Sequence, residues 1–150
     1  MKKLQTSHEE TVRLDYILSQ IDAVYHKASV KSSLSDSESW IFYFLYDVGA
    51  PCSQSEIWRC YGISRKTINS ALAKLESKNL VKRTSGGGRN VGVSLTDEGL
   101  AFAEKFIAPM IAAENSVFDS WPQEEKEQII SLAEKYRTCL FQEFQKRGLV

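Results

Sequence analysis

Residues 64–75 carry small, hydrogen-bonding and cationic side chains at positions that would share the outer face of one helix. Ile68, Leu72 and Leu75 recur at three- and four-residue spacing, which predicts the buried face of that helix. A helix that enters the major groove of DNA needs such an outer face, because its backbone must come close to the base edges. The candidates for this face are Ser64 as the N-cap and, as base-reading residues, Arg65, Lys66, Thr67, Asn69 and Ser70.

Basic side chains are concentrated in the middle of a chain whose formal net charge is zero. From Arg59 to Arg89 eight basic residues are opposed by Glu76 alone, which gives this segment a charge of +7 and leaves −7 on the rest of the chain. A basic segment in an acidic chain is typical of a phosphate-binding surface, although a solvated face with chance clustering gives the same pattern. The charge distribution therefore keeps nucleic-acid binding open despite the neutral total.

A second group of side chains is expected to contact the sugar-phosphate backbone rather than the bases. Unpaired N–H groups at a helix start bind phosphate, and the turn that begins at Ser53 precedes such a start. A glycine-rich hairpin tip can lie close to the backbone and bring an arginine into the minor groove. The backbone candidates are Ser53, Gln54, Ser55, Lys74, Arg83, Arg89 and Asn90.

The elements that must position these residues are a string of helices and one short hairpin. A short helix over 53–61, a tight turn at Gly62 and a helix capped by Ser64 are predicted in succession. Residues 80–84 and 90–95 are β-like and are separated by a glycine-rich tip, which predicts a hairpin. This order is that of a helix-turn-helix followed by a wing, so the predicted fold class is mainly α with a small β hairpin.

Further amphipathic helices are predicted on both sides of this lobe. A first long helix follows Ser7, and a helix capped by Thr96 contains Pro109, which predicts a kink. A last long helix opens at 120–122. The second helix is expected to place one face inward, made of Trp40, Ile41, Phe44, Leu45 and Val48.

The segment from Gly62 to Gly99 carries the most specific pattern. It reads Leu75-Glu76-Ser77-Lys78-Asn79-Leu80-Val81-Lys82-Arg83, then Arg89 in the hairpin tip, then Leu95-Thr96-Asp97-Glu98-Gly99. In these motifs, and over most of its length, the sequence resembles the MarR family of bacterial winged-helix transcription regulators. It departs from the family at Gly87, where an aspartate usually buttresses the wing arginine, and at Asn79, where glycine is usual. The first departure indicates a looser wing.

The resemblance implies a homodimeric regulator, most often a repressor, that binds double-stranded DNA at a pseudo-palindromic operator. It implies one domain over 1–150, with a winged-helix lobe at about 35–98 and dimerisation helices at about 7–30 and 99–147. Apolar stripes on both terminal helices are compatible with a dimer, although both could be ordinary intramolecular core.

Relatives in this family can bind small aromatic effectors in a crevice between the dimer helices and the DNA-binding lobe. An aromatic run over 40–46 lies where such a crevice is expected, and core packing is the simpler interpretation of that run. The pocket candidates are Trp40, Tyr43, Phe44 and Tyr46.

Composition excludes several other classes of protein. With 150 residues, 43% of them hydrophobic and 25% charged, the chain fits one soluble globular domain or at most two very small ones. The longest apolar run, 40–46, is too short to span a membrane, and the first ten residues turn polar where a signal peptide becomes apolar. A cytosolic protein is therefore expected. His8 and His26 share no metal-ligand spacing, so no metal and no cofactor are expected.

Three alternatives stay open beside a DNA-binding regulator. A winged helix can serve purely as a protein-interaction module, which the +7 segment disfavours. A thiol-based redox regulator could use Cys60 beside Arg59, although a buried structural thiol is the simpler interpretation of Cys52, Cys60 and Cys139 alike. A small cysteine hydrolase would need a base next to its nucleophile, and no pattern in the sequence supplies one.

Overall fold

The computed structural model describes residues 6–49, 51–84 and 92–150, which form seven helices and three strands. In chain order these are α1 (Thr6–Lys31), α2 (Asp36–Val48), β1 (Cys52–Ser53), α3 (Gln54–Tyr61), α4 (Arg65–Ser77), β2 (Val81–Thr84), β3 (Gly92–Leu95), α5 (Asp97–Phe106), α6 (Ala108–Asp119) and α7 (Gln123–Lys146). The chain divides into two compact units, Met1–Met110 and Ile111–Val150. The predicted fold class, mainly helical with a small antiparallel sheet, is confirmed.

The sheet has three antiparallel strands in the order β1-β3-β2. The predicted hairpin is present, with Val81 opposite Leu95 and Thr84 opposite Gly92. The third strand was missing from the prediction: Cys52 pairs with Val93, and two residues are too few to show the alternation that marks a strand. The hairpin tip, and with it the candidates Arg89 and Asn90, lies outside the described residues.

Side-chain caps start α3, α4 and α5. The caps at Ser64 and Thr96 were predicted, whereas Ser53, predicted as the first residue of its helix, is the cap of α3. The Ser53, Ser64 and Thr96 hydroxyls each accept a backbone N–H from the residue three positions on. The Thr96 hydroxyl also donates to the Asn79 carbonyl at 2.7 Å, which ties the start of α5 to the end of α4. Asn79 has a φ of 56°, the left-handed conformation predicted for it, and Gly62 has a φ of 63°.

The core of the first unit lies where α2, α3, α4 and β3 meet. Its fully buried side chains include Ile41, Phe42, Ile57, Leu72 and Val93. The predicted inner face of α2 was wrong at one position, since Val48 is 45% exposed beside the helix end. Phe42 was missed and is completely buried, which stabilises the fold by about 2–3 kcal/mol.

The predicted kinked helix around Pro109 is in fact two helices. Helix α5 ends at Phe106, Ile107 caps it, and α6 begins at Ala108. Pro109 therefore lies in the first turn of α6, where a backbone N–H has no helical partner and its absence costs no hydrogen bond. The break precedes the proline instead of centring on it.

A buried carboxylate joins the start of α2 to the end of α4. Glu38 Oε2 accepts the Ser35 N–H at 2.7 Å, and Lys78 Nζ donates to Glu38 Oε1 at 3.2 Å. Burial raises the pKa of Glu38, but the hydrogen bonds with Ser35 and the nearby Lys78 ammonium outweigh burial, so the pKa lies below its ordinary value.

Replacing Glu38 with glutamine should lower the free energy of unfolding by about 1–2 kcal/mol at pH 7. Because the folded-state pKa is lowered, the carboxylate stabilises fully above its ordinary value of 4.5, and that contribution is lost as the pH falls through the folded value. Urea unfolding of both proteins should therefore show a smaller difference at pH 3 than at pH 7. Glu134→Gln, on the exposed surface of α7, is the control, and a difference that does not change with pH contradicts the assignment.

Candidate nucleic-acid interface

Helices α3 and α4 form a helix-turn-helix whose geometry follows from local sequence. Gly62 ends α3 in a left-handed conformation, with its N–H donating to the Trp58 carbonyl at 3.0 Å. Two residues later Ser64 caps α4, so the turn between the helices is short. Ile68, Leu72 and Leu75 are buried as predicted, and they fix which face of α4 points to solvent.

The outer face of α4 brings most of the predicted base-reading residues together. Lys66, Asn69 and Ser70 are exposed, and Lys74 lies one turn beyond Ser70. Within the described ranges these four side chains make no hydrogen bond and no ion pair, so their polar groups face solvent. Ala73 is also exposed on this face and was missed, because alanine carries no polar group; its methyl suits contact with a thymine methyl.

Three other candidates at the start of α4 already have local partners. The Thr67 N–H donates to the Ser64 hydroxyl oxygen at 3.1 Å, and the two hydroxyls are 2.8 Å apart. Ser64 and Thr67 thus act first as a helix cap. The Arg65 guanidinium lies over the ring of Trp58, with its central carbon 4.9 Å from the ring centroid.

The turn before α3 is occupied by an internal carboxylate. Glu56 Oε2 accepts the Ser53 N–H at 2.6 Å and the Ser53 hydroxyl at 2.7 Å, and these two hydrogen bonds hold the pKa of Glu56 below its usual value. The Ser55 hydroxyl is 2.9 Å from that of Ser53, and Gln54 is half-buried beside them. A phosphate at this turn would have to displace the Glu56 carboxylate, which weighs against the predicted backbone contact at Ser53.

Two of the eight basic residues in the +7 segment are paired with acids. Arg83 Nε lies 2.9 Å from Glu76 Oε2, and Lys78 Nζ lies 3.2 Å from Glu38 Oε1. The Arg83 Nε is buried and its contact with the carboxylate is an ion pair without hydrogen-bond alignment. The charge of Arg83, which was predicted to contact the DNA backbone, is thus partly neutralised by Glu76.

The four pocket candidates on α2 have different surroundings in the part of the chain that the structure describes. Trp40 and Tyr43 line a cavity of about 10 Å³ in which at most one water fits. Phe44 packs against Tyr61 with ring centroids 6.0 Å apart. Tyr46 lines a separate cleft of about 230 Å³ and donates its hydroxyl to Glu104 at 3.0 Å. Binding of an aromatic effector stays a prediction, since these cavities alone do not support it.

The cysteines differ from one another in exposure. Cys52 is buried as expected, and burial together with the Glu56 carboxylate raises its pKa to about 11, which makes it a poor thiolate. Cys60 and Cys139 are exposed, so the expectation of buried thiols was wrong for both. Cys60 lies in the last turn of the short helix α3, and Cys139 lies on α7.

Comparison with known proteins decides the family of the chain. The family model described as MarR family matches residues 32–89. The HTH-type transcriptional regulator PecS of Dickeya dadantii (strain 3937) is 31% identical over 116 residues, which cover 75% of this chain and 70% of PecS. The chain belongs to the MarR family.

Solved MarR family structures share its fold. A MarR family regulator from Neisseria meningitidis superposes with a TM-score of 0.82 at 16% identity and covers 92% of this chain and 98% of its own. MepR of Staphylococcus aureus in complex with DNA gives a TM-score of 0.69 at 19% identity, covering 92% of this chain and 99% of MepR. In the part of this MarR family chain that the structure describes, no helix has the length and apolarity to cross a bilayer.

Proposed function

We propose that this chain, a DNA-binding transcriptional regulator of the MarR family, binds a pseudo-palindromic operator as a homodimer and acts as a repressor. The observation that carries the proposal is the outer face of α4, where Lys66, Asn69, Ser70 and Lys74 project from a rigid helix with no internal partner among the described residues. A dimer seated on an operator excludes other proteins from that DNA, which makes repression the simplest output.

Exposed apolar side chains on the terminal helices support the dimer. Ile17, Leu18 and Ile21 on α1 are between 43% and 48% exposed in the first unit. Helix α7 in the second unit has no buried residue, although its sequence is amphipathic. A soluble monomer rarely leaves so many large apolar side chains of one helix face in water, and this holds for each of the two helices. Pairing of two chains about a two-fold axis would cover both faces. It would also place two recognition helices about 34–36 Å apart, which is the spacing of adjacent half-sites.

The proposed division of labour assigns bases to α4 and phosphates to the residues around it. Within one domain over 1–150, the winged-helix lobe at about 35–98 carries both sets, and the helices at about 7–30 and 99–147 make the dimer. The proposed base-reading residues are Arg65, Lys66, Thr67, Asn69 and Ser70. The proposed backbone contacts are Lys74, Arg83, Arg89, Asn90 and, once the Glu56 carboxylate is displaced, the turn of Ser53, Gln54 and Ser55.

Release by a small aromatic ligand completes the proposed regulation. Such a ligand would act by population shift, binding more tightly to one separation of the two recognition helices than to the other. Trp40 and Tyr43 would have to move apart to admit it, because the cavity beside them is about 10 Å³.

Alanine substitutions at Asn69 and Arg89 should separate base reading from backbone contact. Asn69→Ala should relax preference at one base pair and cost about 1–3 kcal/mol on the operator but little on random DNA. Arg89→Ala should weaken binding to every sequence and lower the slope of log affinity against log salt by about one unit. Fluorescence anisotropy on specific and random duplexes over a salt series measures both effects.

Asn115→Ala on the exposed surface of α6 is the matched control for the asparagine substitution. It should leave both the specific and the random affinity unchanged. If Asn69→Ala and Arg89→Ala behave alike on the two duplexes, the division between base and backbone contacts is wrong.

A further inference from the structure

Two arginines share one aromatic ring at the junction of the helix-turn-helix. Trp58 lies on α3 and is half-buried. The central guanidinium carbon of Arg65 is 4.9 Å from the centroid of its ring, and that of Arg59 is 5.6 Å from the same centroid. Both distances are within the limit of about 6 Å at which a ring face attracts a cation. One ring therefore contacts two like charges.

Neither guanidinium forms an ion pair among the described residues, whereas Lys78 and Arg83 in the same segment are both paired. The Glu56 carboxylate on α3 accepts hydrogen bonds from the N–H and hydroxyl of Ser53, and it lies close enough to Arg59 for the charge of Arg59 to help lower the pKa of Glu56. Because two cations share one ring and no described carboxylate lies within ion-pair distance of either, an anion placed beside them is bound favourably.

Contact with the ring of Trp58 also limits the positions from which the guanidiniums can donate. A planar guanidinium that lies over a ring keeps its N–H groups at its edge, where they match the paired oxygens of a phosphodiester. Long arginine side chains lose rotamer freedom on binding, and a ring that holds them in advance reduces that loss. A lysine in either place would be a mobile point charge without this geometry.

We propose that Arg59 and Arg65 bind one stretch of DNA backbone phosphate and that Trp58 is the positioning residue that holds both guanidiniums for it. The inference rests on the proposed function, since it names a new contact for the same DNA. It adds Trp58 and Arg59 to the interface. It also moves Arg65 from base reading to backbone contact, because the ring holds its guanidinium toward α3 and not along the row of Lys66 and Ser70.

Charge-removing variants test the two arginines. Arg59→Gln and Arg65→Gln should each lower the slope of log affinity against log salt by about 0.9 and weaken specific and random duplexes of about 25 base pairs by the same factor. Arg65→Lys keeps the charge and should keep the slope, yet bind more weakly than the parent because the planar stacking is lost. Lys31→Gln at the exposed end of α1 removes a cation outside the +7 segment and outside the proposed dimer helices, and it should change neither quantity.

Substitutions of Trp58 test its positioning role. Trp58→Ala should weaken both duplexes about fivefold while keeping the salt slope, since both charges remain. Trp58→Phe should recover most of that loss, because a smaller ring still offers a face. Addition of DNA should change the tryptophan emission of the parent protein, and this change should be absent in Trp58→Phe. Circular dichroism of each variant verifies the fold.

The outcomes separate this inference from the proposed function. If the parent protein binds neither duplex, the proposed function is wrong. A parent protein that binds, together with Arg59→Gln and Arg65→Gln variants that keep its salt slope, overturns the phosphate site alone. If Arg65→Gln weakens binding to the specific duplex only, Arg65 reads bases, and the proposed phosphate site is again overturned.

Discussion

Replacing Gly99 with alanine is expected to lower the free energy of unfolding by about 3 kcal/mol or more. Gly99 lies in the first turn of α5, directly against the backbone at the end of the α4–β2 connection. A Cβ atom at Gly99 would meet the carbonyl oxygen of Leu80 far inside contact distance and its carbonyl carbon at 2.9 Å. That carbonyl cannot step aside, because it accepts the Thr96 N–H at 3.2 Å.

The same contact explains the Leu-Thr-x-x-Gly pattern physically. Thr96 caps α5 through the Gly99 N–H at 2.9 Å, and only a residue without a side chain lets this turn approach Leu80 so closely. Glu98→Ala, in the same turn but exposed, is the control and should change stability by less than about 0.5 kcal/mol. Urea unfolding measures both, and a Gly99→Ala protein within about 1 kcal/mol of the parent contradicts this packing.

Replacing Leu140 with aspartate is expected to dissociate the proposed dimer. Ile129, Leu132, Leu140 and Phe144 lie along one face of α7, and each is between 38% and 55% exposed in a single chain. In a symmetric dimer one substitution places two carboxylates in the apolar interface, and each costs several kcal/mol to bury without a partner. The dimer dissociation constant should therefore rise at least about 1000-fold.

Gln142→Asp is the matched control because it adds the same charge to the opposite face of the same helix. Sedimentation velocity at micromolar concentration should show a dimer for the parent and the control, and a monomer for Leu140→Asp. Operator affinity should fall at least about 100-fold in Leu140→Asp alone, since a monomer reaches one half-site only. A Leu140→Asp protein that still sediments as a dimer places the interface elsewhere.

Local signals in the sequence were sufficient to predict the helix-turn-helix and the hairpin that follows it. Ser64 and Thr96 marked two helix starts, because a hydroxyl just before an apolar-periodic segment caps the free N–H groups. Gly62 and Asn79 marked two left-handed positions that few other residues adopt. Residue spacing alone predicted the buried face of α4. It therefore also predicted the exposed face that includes Lys66 and Asn69.

Contacts between distant segments could not be predicted in the same way. Spacing along α2 did not show whether Phe42 or Val48 turns inward, because that depends on where α4 and α5 pack. The ion pair between Arg83 and Glu76 joins a strand to a helix. It neutralises a positive charge that a count along the sequence treats as unpaired. Likewise the stacking of Arg65 on Trp58 needs the turn at Gly62 to bring two helices together, so no sequence pattern signals it.

The stoichiometry and sequence preference of one complex test the central claim most directly. DNA selected from a random pool by the full chain would be sedimented with the protein, and its affinity compared with that of an unselected duplex. We expect two chains per duplex, half-sites with centres about 10 base pairs apart and an affinity at least about 1000-fold above that for unselected DNA. A chain that stays monomeric and binds the selected and unselected duplexes equally contradicts operator binding by a homodimer.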